Sequence, residues 1–125
     1  MSVAKDFTDL RVWQSCHTLV LLTYKDTKSF PRDELFALVS QMRRAAVSVT
    51  SNIAEGFGRF TSKDKEHFYV MASGSLHELK NQYIIANDLG YISTEQLESF
   101  QAVFTESIKQ LNALLKTHRQ TFSGE

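Results

Sequence analysis

The stretch FPRDELFALVSQMRRAAVSVTSNIAEGFGR, Phe30 to Arg59, decides how this chain folds. Within it Leu35, Leu38, Met42, Ala45, Val49 and Ile53 recur three and four residues apart. That spacing puts all six on one face of an α-helix and makes a seam for packing against other helices. Pro31 suits the first turn, where its missing N–H has no partner to lose, and it holds Phe30 in extended geometry. Asp33 and Glu34 fall at the positive end of the helix dipole. Gly56 and Gly58 mark the far end, so the spacing predicts a helix over residues 31–57.

The same period continues on both sides. Upstream, Val12, Cys16, Leu19, Val20 and Thr27 share a side, with Trp13 and Tyr24 beside them, predicting a helix over 8–28. Downstream, Thr61 followed by Asp64 reads as an approximate capping box. It opens a helix over 62–89 that carries Phe68, Ala72, Ser75, Leu79, Tyr83 and Ala86, with Gly90 as its left-handed stop. Ser93 and Gln96 form a second box before Leu97, Phe100, Phe104, Ile108, Leu111 and Leu115, predicting a helix over 94–119 and a frayed tail from about Gln120. Three short connections force neighbours to run antiparallel. The expected fold is all-α: one domain over 1–125, an antiparallel up-down-up-down four-helix bundle.

The 125 residues, 42% of them hydrophobic, fit a single core. Lys plus Arg equals Asp plus Glu at 14 each, so the chain is not a polycation that coats nucleic acid unaided, and any basic patch is local. Cys16 is the sole cysteine, which excludes an internal disulfide and, with no signal-like segment, points to the cytoplasm. No apolar run approaches the ~20 residues of a membrane span.

On a helical wheel Arg44, Ser48, Asn52, Glu55 and Arg59 form a polar stripe roughly 110° round from the seam. Asn52 falls close to Ala45 and Val49, and a polar group there needs a hydrogen-bond partner. The stripe is read either as an interhelical or intersubunit hydrogen-bond network or as a surface facing a ligand or nucleic acid. A turn centred near residue 60 predicts an ion pair from Glu78 to Arg43 or Arg44, and Ser48 level with Ser73.

Chemistry-bearing patterns are sparse. Di-iron bundles use Glu-x-x-His pairs, and only Asp64 and His67 approach that spacing, at a helix start. His17, His77 and His118 read as ordinary surface histidines. Cys16 reads as a small buried hydrophobe. AEGFGR lacks the Lys-Ser or Lys-Thr and the preceding strand of a phosphate loop. No catalytic residue, metal ligand or cofactor is assigned. Charge is uneven, however: Gln41 to Lys63 holds Arg43, Arg44, Arg59 and Lys63 against Glu55, while Asp88 to Glu106 holds four acids and no Lys or Arg. Phe57, Phe60, Phe68 and Tyr69 cluster at the intervening turn, and the favoured reading is that they close one end of the core.

FTDLRVWQ near the start, the Phe30–Arg59 stretch with its NIAEG, and MASGSLHEL before LGYIS make the sequence, over about residues 6–118, resemble the four-helix-bundle family of bacterial intervening-sequence proteins of ribosomal RNA genes. The accessory variability protein of diversity-generating retroelements resembles the same fold. The resemblance implies a cytosolic bundle assembled into a ring of five subunits. It singles out Arg44, Asn52, Glu55, Gly56, Arg59, Ser75 and Glu78, to which the wheel and register add Arg43 and Ser48. The expectation is a non-enzymatic homo-oligomeric scaffold or adaptor for an RNA or protein partner, the competing class being a metal-binding or enzymatic helical bundle.

Overall fold

A computed structural model describes residues 3–123 and contains four long helices: α1 (Arg11–Thr27), α2 (Ser40–Phe57), α3 (Ser62–Asp88) and α4 (Thr94–Ser123). No strand occurs among the described residues. Each helix packs on two neighbours, α1 on α2 and α4, and α3 on α2 and α4. Contacts between helices run in opposite senses: Ser48 meets Ser75 while Gly56 meets Tyr69, and Ser15 meets Gln110 while Asp26 meets Gln96. The fold is therefore the expected four-helix bundle.

Its core runs the length of the bundle. Cys16, Leu19, Met42, Val49, Ile53, Leu76, Leu79 and Leu111 are all but sealed from solvent. Tyr83 stacks on Phe100 with ring centroids 3.9 Å apart. Each buried Leu, Ile, Val, Met or Phe side chain of this kind contributes about 1.5–3 kcal/mol by leaving water.

The helix ends follow local chemistry. Gly90 has φ +77°, and the Tyr91 N–H reaches the Ala86 carbonyl (2.9 Å) while the Gly90 N–H reaches that of Asn87 (3.0 Å). This left-handed stop satisfies the last carbonyls of α3. Ser93 and Gln96 exchange backbone-to-side-chain bonds of 3.1 and 2.8 Å, the complete capping box. Thr61 Oγ accepts from the Asp64 N–H at 3.1 Å.

The second helix departs from expectation. Residues 31–39 are not α-helical: a 3-10 turn (Arg32–Glu34) leads into a π-helical segment (Leu35–Val39), and α2 starts only at Ser40. The wider π turn inserts about one residue and rotates everything upstream of it. Val39 consequently takes the core position, Leu38 is half-buried, and Leu35 lies exposed beside Phe36, which is 92% exposed.

The remaining corrections are smaller. α1 begins at Arg11 because Asp9 accepts the Lys5 and Asp6 N–H groups in a separate 3-10 turn (Phe7–Asp9). On α3, Tyr69 and Leu76 occupy core positions assigned to Phe68 and Ser75, which are half-buried. Helical backbone in α4 continues to Ser123, past the expected fraying point; Gly124 and Glu125 lie outside the described residues. Phe60 does not close the core: it is 100% exposed, at a turn whose interior is already filled by Tyr69.

Candidate functional site

The polar stripe divides into three local arrangements rather than one site. At its middle, Ser48 and Ser75 share a hydroxyl hydrogen bond of 2.8 Å across the α2–α3 interface. Asn52 Nδ2 donates to the Ser48 carbonyl (2.9 Å) and to its hydroxyl (3.1 Å). The partner that Asn52 needs is thus supplied by its own helix. Ser75, not Ser73, faces Ser48, so the two helices are staggered by about half a turn beyond the expected register.

At the lower end of α2, Gly56 is buried where a Cβ would stand 2.7 Å from Tyr69 Cε1 and 3.1 Å from Phe68 Cβ. Only glycine lets α3 approach this closely. Lys65 Nζ donates to the carbonyls of Phe57 (2.7 Å) and Gly56 (3.3 Å), closing the C-terminus of α2 from the next helix, and burial holds its pKa below the ordinary lysine value. Glu55 and Arg59 form a surface ion pair of 3.0 Å, and the Arg59 guanidinium lies 4.6 Å over the Phe68 ring.

At the upper end the expected ion pair is absent. Glu78 accepts instead from the buried Gln82 amide (3.3 Å), although it lines a shallow depression of about 380 Å³ with Arg44, Gln41, Ala45 and Ser48. Glu78 and Arg44 are both exposed, where pairing two long side chains gains less than about 1 kcal/mol and costs rotamer freedom. Arg43 turns the other way, toward α1. Its Nε donates to Thr27 Oγ (3.0 Å) and its guanidinium stacks 4.6 Å over the Tyr24 ring.

Arg43 thereby belongs to a groove that the stripe did not foretell. Between α1, the π segment and the start of α2 lies an open cavity of about 530 Å³ lined by Tyr24, Leu35, Phe36, Val39, Ser40, Arg43, Arg44 and Val47. A second cavity of about 300 Å³ shares Leu35, Val39 and Arg43 with it and adds Lys28 and Arg32. No acidic side chain lines either one. Asp33 and Glu34 lie in sequence between the lining residues Arg32 and Leu35; Asp33 is exposed, and the Glu34 carboxylate accepts from Tyr91 Oη (2.8 Å) and from the Leu38 N–H (3.4 Å).

Sequence reasoning also missed a buried polar node. Asp26, 3% exposed, accepts from Tyr83 Oη (2.8 Å) and Gln96 Nε2 (3.2 Å). Gln96 sits in the first turn of α4, so the carboxylate faces the positive end of that helix. Burial, first, and the adjoining Asp26 charge push the Tyr83 phenol far above its ordinary pKa, leaving it a fixed donor. A signal existed: the run Cys16, Leu19, Thr23, Asp26 keeps helical spacing and places the acid on the apolar face. About three turns earlier on α1, Ser107 donates to Ser15 (2.9 Å) and Ser15 to Gln110 (2.8 Å), beside a Cys16 thiol that burial raises to about 11.

Among the described residues no group of three or more His, Cys, Asp or Glu side chains could hold a metal, and no helix is long and apolar enough to cross a membrane. His67 packs its ring edge-on against Phe68, and His77 binds the Ser73 carbonyl through Nδ1.

No curated protein matches the chain. The model of one protein family, described as 23S rRNA-intervening sequence protein, matches residues 8–113, from just before α1 to the last third of α4, and so takes in every arrangement described above. The four-helix architecture and that match agree, and the chain belongs to the 23S rRNA-intervening sequence protein family.

Proposed function

We propose that this protein is a non-enzymatic, homo-oligomeric scaffold or adaptor that associates with RNA in the cytoplasm. The observation that carries the reading is the uncompensated charge at Arg43 and Arg44. In a chain of zero net charge, two adjacent arginines lie in a region where no carboxylate pairs with either of them among the described residues. Arg43 gives only its Nε to a hydrogen bond within the fold, its guanidinium resting on the Tyr24 ring, and Arg44 is exposed. Cations left unpaired in this way suit phosphate.

Self-association has separate support. α3 leaves Val70, Met71, Ile84 and Ile85 between 39% and 45% exposed along its outer side, apolar area that one bundle does not cover. A ring of five, as the family resemblance implies, multiplies a modest cationic patch into an avid one without new contacts. The polar stripe takes a bundle-fixing role: Ser48, Asn52, Ser75 and Gly56 set how α3 lies on α2.

Two measurements on the full chain test this. Light scattering after size exclusion should return a multiple of the 14.3 kDa chain mass. Titration against structured RNA over a salt series should give an affinity that falls as salt rises, by counterion release. A monomer with no RNA affinity at low salt removes the reading. Stoichiometric metal in the purified protein would favour the competing class, a metal-binding or enzymatic bundle.

A further inference from the structure

We infer that the groove between α1, the π segment and α2 binds single-stranded RNA, with bases stacking on Phe36 and phosphates held by Arg44, Arg43, Arg32 and Lys28. This deepens the RNA reading above and rests on it. Sites for unpaired strands combine a cationic channel that tracks the backbone with aromatic faces on which bases stack, without needing base-edge recognition. The two joined cavities supply both. Four cationic side chains line them and no acid does. Phe36 is 92% exposed and makes no ring contact within the fold, so its faces are open. The ring of Tyr24, 41% exposed, already carries the Arg43 guanidinium on one face, which fixes that cation at the groove floor.

The backbone enlarges the exposed apolar surface around that ring. In a continuous α-helix the residues upstream of Val39 would keep the seam phase and Leu35 would pack inward. The π segment Leu35–Val39 breaks that phase and turns Leu35 outward, beside Phe36, which lies about 100° from Leu35 and off the seam even in a continuous helix. Exposing a phenylalanine forgoes stabilisation that burial would have given. Duplex RNA fits poorly, because its bases are already stacked and its deep groove is closed to side chains.

The test is fluorescence anisotropy on the full chain. The probes are a labelled mixed-sequence RNA of about 12 nucleotides and a hairpin duplex with the same number of phosphates, from roughly 50 to 200 mM salt. The single strand should bind more tightly than the duplex. Phe36→Ala should weaken the single strand about fivefold or more with the salt slope unchanged, and Phe36→Trp should restore affinity. Arg44→Gln should lower the slope by about 0.7. Duplex binding as tight as single-strand binding, or a Phe36→Ala affinity within about twofold of wild type, overturns the inference while leaving the RNA reading intact. A Phe36→Ala change in oligomeric mass without loss of RNA affinity also overturns it, the groove then being covered by a second copy. Wild-type protein that binds neither probe overturns both readings.

Discussion

The two sides of α2 contrast sharply. Toward α3, the polar groups packed at the interface have partners inside the chain: Ser48 with Ser75, Asn52 with Ser48, and the last carbonyls with Lys65. Toward α1 and outward, the same helix and its π-helical prelude leave Phe36 bare and Arg44 unpaired. The inner side is closed chemistry, whose removal should cost stability. The outer side is open chemistry, whose removal should cost binding and leave stability intact. Polarity alone therefore does not mark a functional surface, since the polar groups packed between α2 and α3 are used up within the fold.

The contrast breaks first at Gly56. Gly56→Val forces a side chain into space that Tyr69 and Phe68 fill, and should cost about 3 kcal/mol or more, read as a lower urea midpoint at unchanged slope. A loss below about 1 kcal/mol would mean that the close approach is not needed.

The next effect is set by pH. Burial raises Cys16 from 9.0 to about 11 and Tyr69 from 10.0 to about 12. In each case the unfolded chain ionises first. Their stabilisation is thus full below about pH 9 and is lost as pH climbs through the folded-state values. Urea midpoints should hold steady from pH 7 to 9 and decline above, and Tyr69→Phe should reduce the decline beyond pH 10. A midpoint that does not change up to pH 11 would show these groups to be open to water.

Tyr83→Phe removes a donor from the buried Asp26 carboxylate and should cost about 2 kcal/mol. Ser48→Ala leaves Ser75 and Asn52 each short of one partner and should cost about 1 kcal/mol, measured the same way. Smallest of all, Phe36→Ala on the open side should move the midpoint by no more than about 0.5 kcal/mol equivalent. A destabilisation as large as that of Ser48→Ala would erase the distinction between the two sides.

Much of this architecture is legible from residue spacing. The seam Met42, Ala45, Val49, Ile53, the Ser93–Gln96 box and the Gly90 stop all stand where local chemistry puts them, because each depends on residues within one or two turns. The family resemblance carried by NIAEG and GSLHEL was legible too, and the family match covers those motifs. The expected ion pair between Glu78 and an arginine does not form, although Glu78 and Arg44 border the same depression, because both are exposed and gain little by pairing. Nor did periodicity reveal the groove. Leu35 carries the right spacing for the seam, and only the π turn takes it away.

The sequence by itself determined four helices, their order, their antiparallel course and the inward faces of most of them. These follow from periodicity, caps and short connections, all of which act over a few residues. Tertiary structure alone decided the α2–α3 stagger, the burial of Asp26 against Tyr83, and the outward turn of Leu35. Each of these is a compromise between elements far apart in the chain: packing volume, hydrogen-bond supply and helix phase must be satisfied together, and no local window contains all the partners.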